Sequence, residues 1–235
     1  MNILADFLFP ARCLLCGATR DLLPDSTLCV ACSGDLLRNI HACSVCASPL
    51  AVGHSEPGAE VCGQCMQKAP VYDRIWSPFC YAQPLEWMIQ QLKFSARLSF
   101  ASLLSDLIIQ QWPVSFEQQP RPEAIIPMPL HPRRLKQRGF NQALLLVKPL
   151  AKRLNLPVDT ESCRRIRNTA HQTGKNARQR VLNIKDAFRF ENQNNYQHVV
   201  IFDDVVTTGS SVSELSKIIK QAGVKRVDVW CLARA

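Results

Sequence analysis

Past residue 70, apolar positions recur at helical spacing in four places. Leu85, Met88, Ile89 and Leu92 share one face of PLEWMIQQLKF, and Leu103, Leu104, Leu107 and Ile108 share one face of SFASLLSDLIIQQW. Leu144, Val147, Ala151 and Leu154 mark a third amphipathic helix, and Val212, Leu215, Ile218 and Ile219 a fourth over residues 211–221. Between them lie short, nearly continuous apolar runs, AIIPM, HVVIFDD and RVDVWCLAR, which read as buried strands. Strand, loop, helix and strand in repeated order predict an α/β domain with a mainly parallel sheet flanked by helices, its ligands at the carboxyl ends of strands. Ser211 with Glu214 matches a capping box at the start of the fourth helix, and Gly223 is placed to end it in a left-handed conformation. The run LHPRRLKQRGFNQ reads as a basic loop, and residues 163–186, polar and basic with little apolar content before Val181, as a long mobile arm.

The first 70 residues follow a different pattern. Eight of the eleven cysteines form four Cys-x-x-Cys pairs: Cys13 and Cys16, Cys29 and Cys32, Cys43 and Cys46, Cys62 and Cys65. One such turn aims two thiolates at a tetrahedral ion, and two turns complete a four-cysteine zinc site. Two structural zinc ions are expected. Sequential and interleaved pairings are both sterically open, and the sequential one, two tandem ribbons, is preferred. The division read from the sequence is a double zinc-ribbon region at 1–70 and an α/β domain at 71–235. His41 and His54 are spare to this ligand set. Cys80, Cys163 and Cys231 stand outside it, with Cys231 in a strand pattern that suits the core.

Charge adds a direction. The chain's net +9 is concentrated in residues 131–189, where fifteen Lys and Arg face three Asp and Glu, and ten of the fifteen are Arg. Arg grips phosphate bidentately, so the stretch points to polyanions: nucleic acid, phosphorylated small molecules or pyrophosphate. Residues 1–70 carry four basic against six acidic groups, so the ribbons suit a structural or docking role better than a nucleic-acid grip. The first residues, MNILADFLFPARC, lack a basic leader and are cut by Pro10, and no apolar run approaches a membrane span, so the expected location is the cytoplasm.

The chemistry is densest in VVIFDDVVTTGSS, residues 199–211. Thr207, Thr208, Ser210 and Ser211 offer hydroxyls, Gly209 admits close backbone approach, and the helix N-terminus that follows supplies unpaired N–H groups: a nest for a phosphate dianion. Asp203 and Asp204 just upstream suit vicinal ribose hydroxyls. Phosphate plus ribose is a ribose 5-phosphate. No G-x-x-x-x-G-K-[ST] run is present, which counts against a P-loop ATPase.

This segment resembles the PRPP-binding signature of type I phosphoribosyltransferases. With the Cys-x-x-Cys pairs, IPMPLHPRRLKQRGFNQA and RRIRNTAHQTGKNARQR in the same order, nearly the whole chain resembles the ComF/GntX family of competence and DNA-utilisation proteins. The resemblance implies that Asp203 and Asp204 hold the ribose hydroxyls and that Thr207, Thr208, Gly209, Ser210 and Ser211 hold the 5-phosphate. It places Pro129, Leu130 and the basic residues near Arg138 and Gly139 on the pyrophosphate side, with residues 164–180 closing over the site. Asp203, Asp204 and Arg138 are the candidate catalytic residues, with Arg133 and Arg134 beside them and Arg167 or Arg178 arriving from the arm. Mg²⁺ is expected to enter with PRPP, held mostly by substrate oxygens and water. Ala170 and His171 depart from the family's usual arm. Two functions follow: phosphoribosyl transfer to an acceptor, or a non-catalytic hold on single-stranded DNA or nucleotides through the same fold. A DNA-uptake helicase docked on the ribbons is compatible with either.

Overall fold

The computed structural model describes residues 11–24, 26–51, 60–168, 184 and 186–235. In chain order its elements are the short helices α1 (Val30–Gly34) and α2 (Gly63–Gln67), strands β1 (Arg74–Trp76) and β2 (Phe79–Cys80), and helices α3 (Leu85–Ser95) and α4 (Ser99–Gln110). A 3-10 turn (Val114–Gln118) leads to β3 (Ala124–Pro127), α5 (Pro132–Arg138) and α6 (Gln142–Leu154). Strands β4 (Cys163–Arg165), β5 (Phe188–Phe190) and β6 (His198–Val206), helix α7 (Ser210–Gln221) and strand β7 (Arg226–Arg234) follow.

The long strands β6 and β7 lie side by side at the centre of a parallel sheet, with β1 and β2 in succession along the far edge of β7 and β3 along the far edge of β6. Both central strands are buried along most of their length, as strands covered on two faces must be, which explains the near-continuous apolar runs in HVVIFDDVV and VDVWCLA. Helix α6 packs on β3 and β6, α4 packs on α6, and α7 packs on β6 and β7. The four apolar faces read from the sequence are the buried faces of α3, α4, α6 and α7, with Leu144, Leu154 and Ile218 half-buried at their margins. Cys231 is fully buried in β7. Among the described residues no helix is long and apolar enough to cross a membrane.

Four local expectations need correction. The basic loop contains a helix, α5: Pro132 stands in its first turn, the His131 ring nitrogen accepts the Arg133 N–H at 3.2 Å, and Gly139, at φ 84°, ends it. Proline early and glycine just past the end are the usual punctuation of a short helix. The segment read as a mobile arm opens instead with β4, antiparallel to β5, with Cys163 and Arg165 buried on one side; residues 169–183 lie outside the described residues. Asp203 and Asp204 do not end their strand, since β6 runs on to Val206. The capping box is also absent: Gly209 (φ 74°) is the cap of α7, and Glu214 accepts the Asp186 N–H at 3.0 Å. At the other end Gly223, at φ 96°, does stop α7 as expected.

The cysteine-rich region lies against the sheet edge. Arg38 bridges to Phe79, the Ile75 N–H donates to the Val45 carbonyl at 2.8 Å, and the Asn39 side-chain amide donates to the Ala47 carbonyl at 2.9 Å and the Ser77 carbonyl at 3.4 Å.

Candidate functional site

At the carboxyl end of β6 the chain turns through Thr207, Thr208 and Gly209 into α7, and this turn forms one wall of a cleft of about 230 Å³. Asp203, Asp204, Thr207, Thr208, Gly209, Ser210 and Ser211 all line it, as do Leu130, Arg134 and Arg138. Thr208 and Ser210 share a hydroxyl hydrogen bond of 2.8 Å, and the Ser210 N–H points to the Thr208 hydroxyl at 3.4 Å. Gly209 carries the left-handed conformation that the turn requires, and a β-carbon there would meet the Tyr72 hydroxyl at 3.7 Å. Strain rather than crowding therefore restricts this position to glycine.

The two acids have different partners. Asp204 is buried; one oxygen is ion-paired to Lys93 of α3, and the other accepts the Gln142 side-chain amide at 3.1 Å. Arg138 in turn donates to Gln142, so a chain of contacts runs from the basic helix α5 to the strand acid. Asp203 is half-buried and accepts the Asp204 backbone N–H at 2.9 Å. Burial and the adjacent Asp204 charge push the Asp203 carboxyl well above the usual carboxylate range, against the pull of Lys93. Burial lowers the Arg138 guanidinium, with Asp204 opposing and Arg134 adding to the effect. Arg165, buried at the end of β4 with its guanidinium 5.4 Å from the Phe188 ring centre, is lowered by burial and by Arg134 and held up by Asp203.

Not every expected residue reaches the cleft. Pro129, Arg133 and Gly139 do not line it; Arg133 is exposed on α5. Arg167 is described and exposed but does not line it, and Arg178 lies outside the described residues. Lining residues outside the expected set include Lys93, Phe94, Met128 and Gln142, while Arg165 comes from the start of the segment expected to close over the site. In the sequence Lys93 is one more basic residue ending a helix and Gln142 a helix-start polar group. Only their meeting at Asp204 distinguishes them.

The second chemical site is the cysteine region. Its eight thiols separate into Cys13, Cys16, Cys29, Cys32 and Cys43, Cys46, Cys62, Cys65, each set with its sulfurs within 4.8 Å of one another, which is the sequential pairing. Zn–S bonds of ~2.3 Å in a tetrahedron imply sulfurs about 3.8 Å apart. Cys16 and Cys29 lie 3.7 Å apart and Cys46 and Cys62 3.6 Å apart, so both sets fit structural zinc. Burial acts to raise the Cys13 and Cys46 thiols. Backbone hydrogen bonds at Cys13 and bonds with Ser48 at Cys46 overcome it and bring each to about 6, which favours the thiolate a metal needs.

Comparison with known proteins agrees with this geometry. Residues 4–81 match the double zinc ribbon domain family. The DNA utilization protein YhgH of Salmonella typhi is 38% identical over 228 residues, covering 96% of this chain and 97% of that protein. Competence protein F of Haemophilus influenzae is 33% identical over 232 residues, covering 97% and 98%. Competence protein ComFC of Streptococcus pneumoniae is 27% identical over 245 residues, covering 95% and 100%.

Proposed function

Because the chain belongs to the ComF/GntX family of DNA-utilization and competence proteins, we propose that its cleft binds the ribose 5-phosphate end of PRPP and that it serves the uptake or utilisation of DNA. One observation carries the reading: the two acids and the hydroxyl-rich helix start line the same cleft, with three arginines beside them. The 5-phosphate is received by residues 207–211, where N–H groups and hydroxyls converge at the positive end of α7. The two oxygens of Asp204 are already engaged by Lys93 and Gln142, so Asp203 is the acid left to accept a ribose hydroxyl. Asp204 then fixes the strand end and holds Lys93 in the cleft wall. Arg134, Arg138 and Arg165 supply the positive charge that a pyrophosphate group, bound or departing, requires. Mg²⁺ accompanying PRPP supplies further charge neutralisation on the pyrophosphate oxygens.

A second reading, a binding module for single-stranded DNA or nucleotides without transfer, is favoured by the excess of twelve positive charges in residues 131–189. Rings on which bases could stack are few, Phe94 being the one aromatic among the described residues lining the cleft, so such a hold is mainly electrostatic and weakens steeply with salt. Calorimetry with PRPP and Mg²⁺ tests the site: binding is expected in the wild type and lost in Asp203→Ala/Asp204→Ala, and equal affinity would sink the assignment. Pyrophosphate release from PRPP, with a panel of bases and with single-stranded DNA, separates the two readings. Release above background with an acceptor supports transfer; binding without release supports the module.

A further inference from the structure

A second recess lies toward the amino ends of the same strands. Parallel register sets Arg74 beside Asp228 and Trp76 beside Trp230, and alternate residues share a face, so these four side chains occupy one patch of β1 and β7. Trp112 and Phe116, from the segment after α4, lie over it: ring centres are 4.7 Å apart for Trp112 and Trp230 and 5.1 Å for Trp112 and Trp76. The rings do not fill the space. A cavity of about 230 Å³ remains, as large as the phosphate cleft, with Arg121 and His198 also in its lining. Well-packed interiors leave few gaps larger than a water, whereas an aromatic recess with a few polar groups is the usual form of a small-molecule site. His198 opens β6 and Asp204 stands six positions on, so the two sites are roughly 20 Å apart.

The polar groups here are incompletely used. Asp228 is satisfied by Arg226, at 2.9 Å, and by His198 Nε2, at 3.0 Å. A proton on Nε2 facing that carboxylate leaves Nδ1 as an acceptor, and Nδ1 is buried with no hydrogen-bond partner among the described residues. The Trp112 indole N–H is buried and unpartnered in the same way. One acceptor and one donor are thus unspent on residues that line a single aromatic recess. Arg74 lies 5.2 Å from the Phe116 ring centre, and Arg121 donates from one terminal nitrogen to the carbonyls of Leu154 and, at 2.7 Å, Asn155. Neither arginine has an acidic partner among the described residues.

We propose that this recess binds a nucleobase bearing a phosphate. The planar ring lies against the indoles, its hydrogen-bonding edge meets Trp112 Nε1 and His198 Nδ1 once a small side-chain shift uncovers these buried atoms, and its phosphate is held by Arg74 and Arg121. The same chemistry is offered by a free nucleotide and by one unit of a single strand. This site is independent of the ribose 5-phosphate reading, since it shares no residue with that cleft.

The test uses the full chain carrying Trp87→Phe, which leaves Trp76, Trp112 and Trp230 as the only tryptophans, and Asp203→Ala/Asp204→Ala to disable the other cleft. Fluorescence is titrated with dGMP, dTMP and a short oligothymidylate. Saturable quenching is expected, with the dissociation constant raised about tenfold in Arg74→Gln and in Arg121→Gln, a loss of roughly 1.4 kcal/mol. Trp112→Phe keeps a ring but removes the N–H, and is expected to weaken binding without unfolding the chain. Saturation by a mononucleotide identifies a nucleotide site; saturation by the oligomer alone identifies a strand site. No saturable change with any of the three ligands up to about 5 mM, a limit near −3 kcal/mol, overturns the proposal. Wild-type affinity in both arginine variants overturns it as well.

Discussion

Arg234 donates from Nε to the carbonyl oxygen of Cys46 at 3.0 Å, so the last strand of the sheet is tied to a thiolate-bearing residue of the second cysteine cluster. The same guanidinium donates to the carbonyls of Val206, at 3.1 Å, and Thr207, and to the Ser48 hydroxyl at 2.8 Å, which in turn accepts from the Cys46 thiol at 3.3 Å. One buried cation therefore joins the metal site to the loop proposed to hold phosphate. Tyr72 adds a second link, since its hydroxyl lies beside Gly209.

Replacing Arg234 by Met leaves several buried carbonyls without a donor, at about 1–3 kcal/mol for each group that water cannot reach. We expect a loss of roughly 2–4 kcal/mol, measured by urea unfolding, and PRPP affinity lowered with zinc content unchanged. Unaltered affinity in a folded variant would show that the tie is structural alone.

Metal analysis of protein purified without chelator is expected to give about two zinc per chain. Cys43→Ser/Cys62→Ser and Cys13→Ser/Cys29→Ser should each remove one. Because Arg234 and Tyr72 connect the second cluster to residues 206–209, its loss is expected to weaken PRPP binding more than loss of the first. Equal effects on the two sides would count against this coupling.

Asp203 gives a pH dependence whose sign follows from its raised pKa. Between the ordinary carboxylate value and the raised one, the folded state holds a proton that the unfolded state has released, so this group's contribution to stability falls as pH rises through that window. Asp203→Asn should therefore stabilise the ligand-free protein near neutral pH, and the gain should vanish below about pH 4. If the ionised carboxylate accepts a ribose hydroxyl, binding releases protons and tightens as pH rises. Calorimetry in buffers of different ionisation enthalpy reads this directly, and proton uptake would contradict it.

Lys93→Met strands the buried Asp204 charge with Gln142 alone. Breaking a buried pair costs about 3–5 kcal/mol, and the partial exposure of Lys93 reduces the expectation to roughly 2–4 kcal/mol in thermal or urea unfolding. Adding Asp204→Asn should recover much of that loss. A double variant less stable than Lys93→Met would show that Asp204 is held by something other than this pair.

The sequence by itself determined the elements whose cause is local. Periodicity at Leu85, Met88, Ile89 and Leu92 gave a helix because one face had to be buried, and Gly223 marked the stop of α7 because few other residues adopt that backbone. The Cys-x-x-Cys spacing announced metal, since the turn alone directs two thiolates to one ion. The acids and hydroxyls of residues 203–211 were legible together because they are contiguous across one strand end and one helix start. Choices between partners distant in the chain were not legible. Sequential pairing of the cysteines was the preferred reading and is the one formed, but spacing left the interleaved one open because the choice depends on how the loops fold back. The helix in PRRLKQR was hidden because its side chains are nearly all exposed and give no apolar period. Glu214 was drawn from a capping box to the Asp186 N–H, and Lys93, Gln142 and Arg165 gained meaning from parts of the chain far from Asp203 and Asp204. Tertiary packing decided these, because ion pairs and hydrogen bonds form between atoms that share space, and spacing along the chain does not report which atoms those are.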